Sequence, residues 1–189
     1  RAVYQSMQVA PCPTFSFTPP NLPAGTVGSN YKKNILVSGG LAPYSYTFNQ
    51  AQLPPGFTLL DNGTNLVLKG KPVQAASYPF SIDATDSSIP PCTTTHAYTL
   101  KFNCLFKLTT TNLFAAVNQP YSTAIPIKGG HAPFAYSVTS GSVPPGLSLN
   151  ASTGVLSGTP TLAGTYIFNA QVVDTYACAA AGQIQVTVQ

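Results

Sequence analysis

Acid–base chemistry in this chain can draw only on Asp61, Asp83, Asp86, Asp174, His96 and His131, because glutamate is absent. A hydrolase needs a nucleophile, a base and a group to orient that base. A paired-carboxylate mechanism needs two acids held close together. The six groups are scattered, and His131 fills a turn position that Leu41 holds in a related stretch upstream. No catalytic site and no cofactor are expected.

Thiol chemistry is the other option. The four cysteines show no Cys-x-x-Cys spacing and no histidine cluster beside them, so a zinc site is not indicated. Cys12 and Cys104 precede matching strand-like segments, while Cys92 follows Asp86 and Cys178 follows Asp174. Each half of the chain therefore owns one early and one late cysteine, which selects Cys12–Cys92 and Cys104–Cys178 from the possible pairings. Closing loops of this length is worth about 4 kcal/mol in the chain-entropy account. Such bridges persist in oxidising surroundings, so the expected location is extracellular or at the cell surface.

The elements that carry these residues occur twice. Tyr31, Gly39, Gly40, Pro43, Pro54, Pro55, Gly56 and Leu59 recur roughly ninety residues later as Tyr121, Gly129, Gly130, Pro133, Pro144, Pro145, Gly146 and Leu149. Gly70, Pro72, Tyr78 and Asp86 return as Gly158, Pro160, Tyr166 and Asp174. A period of that size is one whole small β domain. Within each copy, apolar residues alternate along short segments, as in Tyr78, Phe80 and Ile82 or Ile184, Val186 and Val188. Alternation of this kind marks strands with one buried face. Eighteen prolines and fifteen glycines punctuate the segments with turns. The expected fold is all-β: two tandem immunoglobulin-like β-sandwich domains of about seven strands each, with one disulfide per domain. The expected divisions are a strand-like N-terminal extension over 1–10, a first domain over 11–104 and a second over 105–189. Between Tyr98 and Leu108 there is no Gly, Pro or Ser, which predicts a stiff junction.

Charge excludes several partners. Only 6% of residues are charged, against about 25% in an average soluble protein. The net charge of +4 comes from eight basic residues, of which Lys32 and Lys33 are the only adjacent pair. That pattern reads as a weakly basic surface and predicts no nucleic-acid binding. No run approaches the ~18 apolar residues of a membrane span, so no membrane insertion is expected.

The stretch Gly39-Gly40-Leu41-Ala42-Pro43-Tyr44 is followed by Leu53-Pro54-Pro55-Gly56, then by Gly70 and Pro72, an aromatic strand and Asp86. The second copy has Gly129-Gly130-His131-Ala132-Pro133-Phe134, Val143-Pro144-Pro145-Gly146, Gly158, Pro160 and Asp174. This pattern resembles the bacterial putative-Ig repeat of secreted and surface proteins, a tandem family similar to cadherin-like and dystroglycan-type sandwiches. The resemblance spans nearly the whole chain except 1–10. It implies fold and location, and hardly any activity, because the shared residues are structural turns. Cadherin-like relatives hold calcium between domains, so the resemblance singles out Asp83, Asp86 and Asp174 as weak calcium candidates. Calcium wants about six or more oxygens. The competing role for Asp86 and Asp174 is acceptance of hydrogen bonds from loop amides.

Three further features bear on partners. Asn62 and Asn150 head glycosylation sequons on equivalent hairpin tips. Ten tyrosines and ten phenylalanines could stack on sugar rings, although most alternate along strands as core residues do. Val3, Met7 and Val9 alternate in the N-terminal extension, which could pair with the sheet edge of a neighbouring subunit. The expected function is a non-catalytic structural module of an extracellular assembly, either a stalk segment or a subunit of a cell-surface filament or adhesin. Its partners would be copies of itself or flanking Ig-like repeats. The alternative is a carbohydrate-binding accessory module of a secreted protein, with surface glycans as partner.

Overall fold

The computed structural model describes residues 11–63 and 65–189. Val3, Met7 and Val9 therefore lie outside the described residues. The chain divides into two compact units, and each is built of strands.

The first domain contains β1 (Ser16–Thr18), β2 (Gly25–Thr26), β3 (Tyr31–Ser38), β4 (Ser45–Phe48), β5 (Thr58–Asp61), β6 (Leu66–Gly70), β7 (Ser77–Thr85) and β8 (Thr93–Asn103). They form two four-stranded sheets, ordered β1-β3-β6-β5 and β2-β8-β7-β4. Because side chains alternate between faces, one face of each sheet carries the apolar set. Ile35, Leu66 and Leu68 from one sheet and Ile82 and Leu100 from the other are fully buried. Burying each such side chain contributes about 1.5–3 kcal/mol before entropy is counted. A short 3-10 turn over Gln50–Gln52 precedes the Pro54-Pro55-Gly56 corner, which delivers Phe57 and Leu59 into this core.

The second domain contains β9 (Phe106–Leu108), β10 (Thr111–Ala115), β11 (Tyr121–Ala124), β12 (Ile127–Gly129), β13 (Ala135–Gly141), β14 (Leu147–Leu149), β15 (Val155–Gly158), β16 (Gly164–Val173) and β17 (Ala179–Val188). One sheet runs β10-β17-β16-β13, with β10 parallel to β17. The opposite layer is divided into β11-β15-β14 and β12-β9. Leu156, Phe168, Ala170, Val172, Ile184 and Val186 fill the core.

Among the described residues the domains have eight and nine strands where the sequence suggests about seven. Very short strands such as β2 account for the excess, and Pro126 accounts for the difference between copies. In the first copy Leu36 continues β3 and pairs with Thr18. Pro126 stands at the equivalent place between β11 and β12. Proline has no amide hydrogen to give to a ladder, so one long strand becomes two.

Candidate functional site

In each copy the chain leaves the long seventh strand, or its counterpart, at an aspartate. Asp86 follows β7 and Asp174 follows β16, and both are buried, at 4% and 7% exposure. A buried carboxylate must be hydrogen-bonded or it destabilises the fold. Asp86 Oδ1 accepts the amides of Ser88 at 3.2 Å and Cys92 at 2.8 Å and the Ser88 hydroxyl at 2.6 Å. Its Oδ2 accepts the Leu41 amide at 3.1 Å. These donors, led by the Ser88 hydroxyl and the Cys92 amide, hold its pKa down to about 2 against the opposing effect of burial.

Asp174 repeats the arrangement. Its Oδ1 accepts the amides of Tyr176 and Cys178, both at 2.9 Å, and Oδ2 accepts the His131 amide at 3.1 Å. Leu41 and His131 play the same part, each through its backbone, so the side chain at that turn is free to differ. His131 Nδ1 also lies 3.8 Å from Asp174 Oδ2. Each aspartate thereby ties the glycine-rich turn to the segment carrying the late cysteine. Cys12 and Cys92 are joined with an S–S distance of 2.02 Å, and Cys104 and Cys178 with 1.97 Å.

The remaining titratable side chains are dispersed. Asp83 sits on β7 between two neighbouring strands and accepts the hydroxyls of Thr47 at 3.3 Å and Thr95 at 2.6 Å. His96 stacks on Phe17 at 4.8 Å, with Nε2 at 3.0 Å from the Pro20 carbonyl oxygen. Among the described residues neither imidazole bonds to a serine, threonine or cysteine side chain, and no three His, Cys, Asp or Glu side chains form a group fit for a metal ion. The geometry brings neither Asp83 with Asp86 onto one centre nor either of them with a histidine.

Aromatic side chains mostly build the cores. Phe17, Tyr31, Phe57, Phe80, Tyr98 and Phe168 are buried, while Phe114 is 69% exposed. Tyr31 and Tyr98 donate their hydroxyls to the carbonyls of Pro23 and Pro19, each at 2.9 Å, and burial pushes both phenols up to about 12. Asn62 and Asn150 lie on exposed turns. Asn150 Oδ1 accepts the amides of Ser152 at 2.9 Å and Thr153 at 3.0 Å, and Asn62 Oδ1 accepts that of Asn65 at 2.9 Å.

One arrangement is not evident from the linear sequence. Lys32 on β3 lies directly opposite Lys69 on β6, and Lys107 on β9 lies directly opposite Lys128 on β12. Lysines scattered along the chain become two exposed cross-strand pairs once the strand register is known.

Two-layer sandwiches of mostly antiparallel strands, each with a disulfide, define these domains as immunoglobulin-like modules. The chain belongs to the family described as Putative Ig domain, which matches residues 13–103 and again 105–189. No curated protein matches it. Among solved structures it is similar to an endo-fucoidan hydrolase of glycoside hydrolase family 107, at 21% identity and a TM-score of 0.37, covering 95% of this chain and 35% of that one. The protocadherin GammaB4 extracellular domain shares 17% identity at a TM-score of 0.37, over 94% of this chain and 33% of that one. Mouse clustered PcdhgC3 EC1-3 shares 16% identity at a TM-score of 0.36, over 94% of this chain and 68% of that one. The chain spans about a third of the length of the hydrolase and of the GammaB4 protein. Likenesses at these scores carry no inference about partners. Among the described residues no helix is long and apolar enough to cross a membrane.

Proposed function

We propose that the chain is a non-catalytic structural module of an extracellular assembly, serving as a stalk segment or as a subunit of a cell-surface filament or adhesin. The observation that carries this reading is the use made of the polar residues. Asp86 and Asp174 each spend their carboxylates on backbone amides beside a disulfide. A domain closed twice in this way, by a covalent and a polar clasp, is suited to bearing load in oxidising surroundings. Its partners are copies of itself or flanking Ig-like repeats. Val3, Met7 and Val9 supply a strand that adds to the sheet edge of a neighbour. Such head-to-tail contact does not close on itself and propagates a fibre. Asn62 and Asn150 are attachment points for glycans in a host that glycosylates. Asp83, Asp86 and Asp174 remain the calcium candidates; with their oxygens already engaged by protein donors, added calcium is expected to leave thermal stability unchanged.

Negative-stain electron microscopy of the full chain, beside a variant lacking residues 1–10, tests the proposal. Fibres or end-to-end oligomers from the full chain, and folded monomers from the truncated one, are expected. Monomers from both, under every condition that preserves the disulfides, would overturn the subunit reading.

A further inference from the structure

Each domain carries one cross-strand lysine pair that the other domain lacks. Lys32 and Lys69 in the first domain correspond to Ser122 and Ser157 in the second, which also lie opposite one another. Lys107 and Lys128 in the second domain correspond to Ser16 and Ser38 in the first, again a cross-strand pair. All four lysines are exposed, and among the described residues none of them forms an ion pair with a carboxylate. Directly opposed residues hold their Cβ atoms about 5 Å apart, and like charges there destabilise a sheet. Serine at both positions is evidently compatible with the fold, so the lysines are not needed for it. A destabilising arrangement that occurs twice, in a chain so poor in charge, calls for an anionic partner that offsets the repulsion.

The surroundings narrow that partner. The first pair lines a cleft of about 430 Å³ together with Asn30, Tyr31, Thr58 and Lys71, and the second lines one of about 460 Å³ beside the Cys104 bridge. A second copy of this chain is a poor match, since its four acidic residues include the two clasped aspartates. Strand addition by an acidic peptide is blocked at Lys69, where β6 pairs with β3 on one side and β5 on the other. β1 covers β3 only at residues 36–38, so competition by polyglutamate decides whether a peptide binds at Lys32. Single-stranded nucleic acid would want aromatic faces for base stacking, but the ring lining the first cleft, Tyr31, is buried with its hydroxyl turned to Pro23. A duplex would want a broad basic stripe, and this chain has eight dispersed basic residues. What remains is a polymer with regularly spaced anionic groups and hydroxyls that Asn30 and Thr58 can meet. We propose that the two lysine pairs bind an anionic polysaccharide, each pair straddling a carboxylate or sulfate group. This stands independently of the assembly reading, and it requires no aromatic platform.

Affinity electrophoresis of the full chain through gels containing polygalacturonate, dextran sulfate or neutral dextran tests it, with polyglutamate and a single-stranded DNA oligonucleotide as competitors. Retardation by at least one of the two anionic polysaccharides, and none by neutral dextran, is expected. Exchanging Lys32 and Lys69 for serine, or Lys107 and Lys128 for serine, should each weaken binding about tenfold, the loss of roughly one charge-assisted contact. Neither exchange should lower the melting temperature, because each installs the pair found in the other domain. Glutamine at the same positions provides a second set of variants that keeps the stem length. No retardation by either anionic polysaccharide, or undiminished retardation of both serine variants, would overturn the proposal. Competition by polyglutamate or DNA stronger than by either polysaccharide would overturn the assignment to carbohydrate.

Discussion

Asp86 and Cys92 clasp each other through two hydrogen bonds of opposite direction. The Asp86 carboxylate accepts the Cys92 amide at 2.8 Å, while the Asp86 amide donates to the Cys92 carbonyl at 2.9 Å. Asp174 and Cys178 do the same at 2.9 Å in both directions. The clasp fixes the late cysteine where its early partner can reach it, and it anchors the glycine-rich turn through Leu41 or His131.

Removing one clasp should therefore loosen one domain at a time. Asp174→Ala leaves the amides of His131, Tyr176 and Cys178 without their acceptor. The Cys178 amide is buried, and a buried donor left unmade costs about 1–3 kcal/mol, while water can reach the other two. Hydrogen exchange should rise first across residues 129–131 and 174–178, and the second domain should melt ahead of the first. Asp86→Ala should reverse that order. Equal loss of protection in both domains from either substitution would show that the clasps are not local.

The pH dependence follows from the same carboxylate and from two phenols. Asp86 in the folded chain is held to about 2, below the ordinary ~3.9 of an unfolded aspartate. Its contribution is therefore fully present above about pH 4 and is lost as pH falls toward 2. Tyr31 and Tyr98 are raised to about 12. Their contribution is complete below the ordinary phenol value near 10 and is lost as pH rises from there toward 12. A melting temperature nearly level between about pH 4.5 and 9, falling on both sides, is expected by calorimetry. A step inside that window would reveal a coupled group that this pattern does not contain.

Most of the architecture is legible in the sequence because it is written in local chemistry. Alternating apolar residues give the strands and their buried faces, and Gly39-Gly40 with Pro43 or Gly129-Gly130 with Pro133 give the turns. Both disulfides follow from positions within a repeat. Pro126 is visible too, but its effect on the strand depends on what Leu36 does in the other copy. The lysine pairs are of another kind. Lys32 and Lys69 are far apart in the chain, and only the antiparallel register of β3 and β6 sets them opposite. A charge count treats them as scattered, because charge along a sequence carries no record of which strands are neighbours.

The two copies of the Pro-Pro-Gly corner look identical in sequence, yet their glycines should not tolerate change equally. Gly56 and Gly146 both adopt the left-handed backbone region, with φ of +78° and +89°. A methyl group at Gly56 would find no atom within 4 Å, whereas at Gly146 it would run into the carbonyl oxygen of Thr159. The difference traces to the next residue. Phe57 lays its ring over Gly70 in the first copy, while in the second the chain turns through Leu147 and Gly158 lies against the Gly146 backbone instead. There the Thr159 amide donates to the Gly146 carbonyl at 3.0 Å, and the Thr161 amide to Pro145 at 3.0 Å. Gly56→Ala should cost only the left-handed backbone penalty, about 1 kcal/mol. Gly146→Ala adds a backbone collision that must be relieved by breaking those hydrogen bonds, so its cost should approach about 3–4 kcal/mol. Urea denaturation of the two single variants measures both. Equal losses would mean that the 144–147 turn moves away from β15 freely, and that its hydrogen bonds to Thr159 and Thr161 do not hold it there.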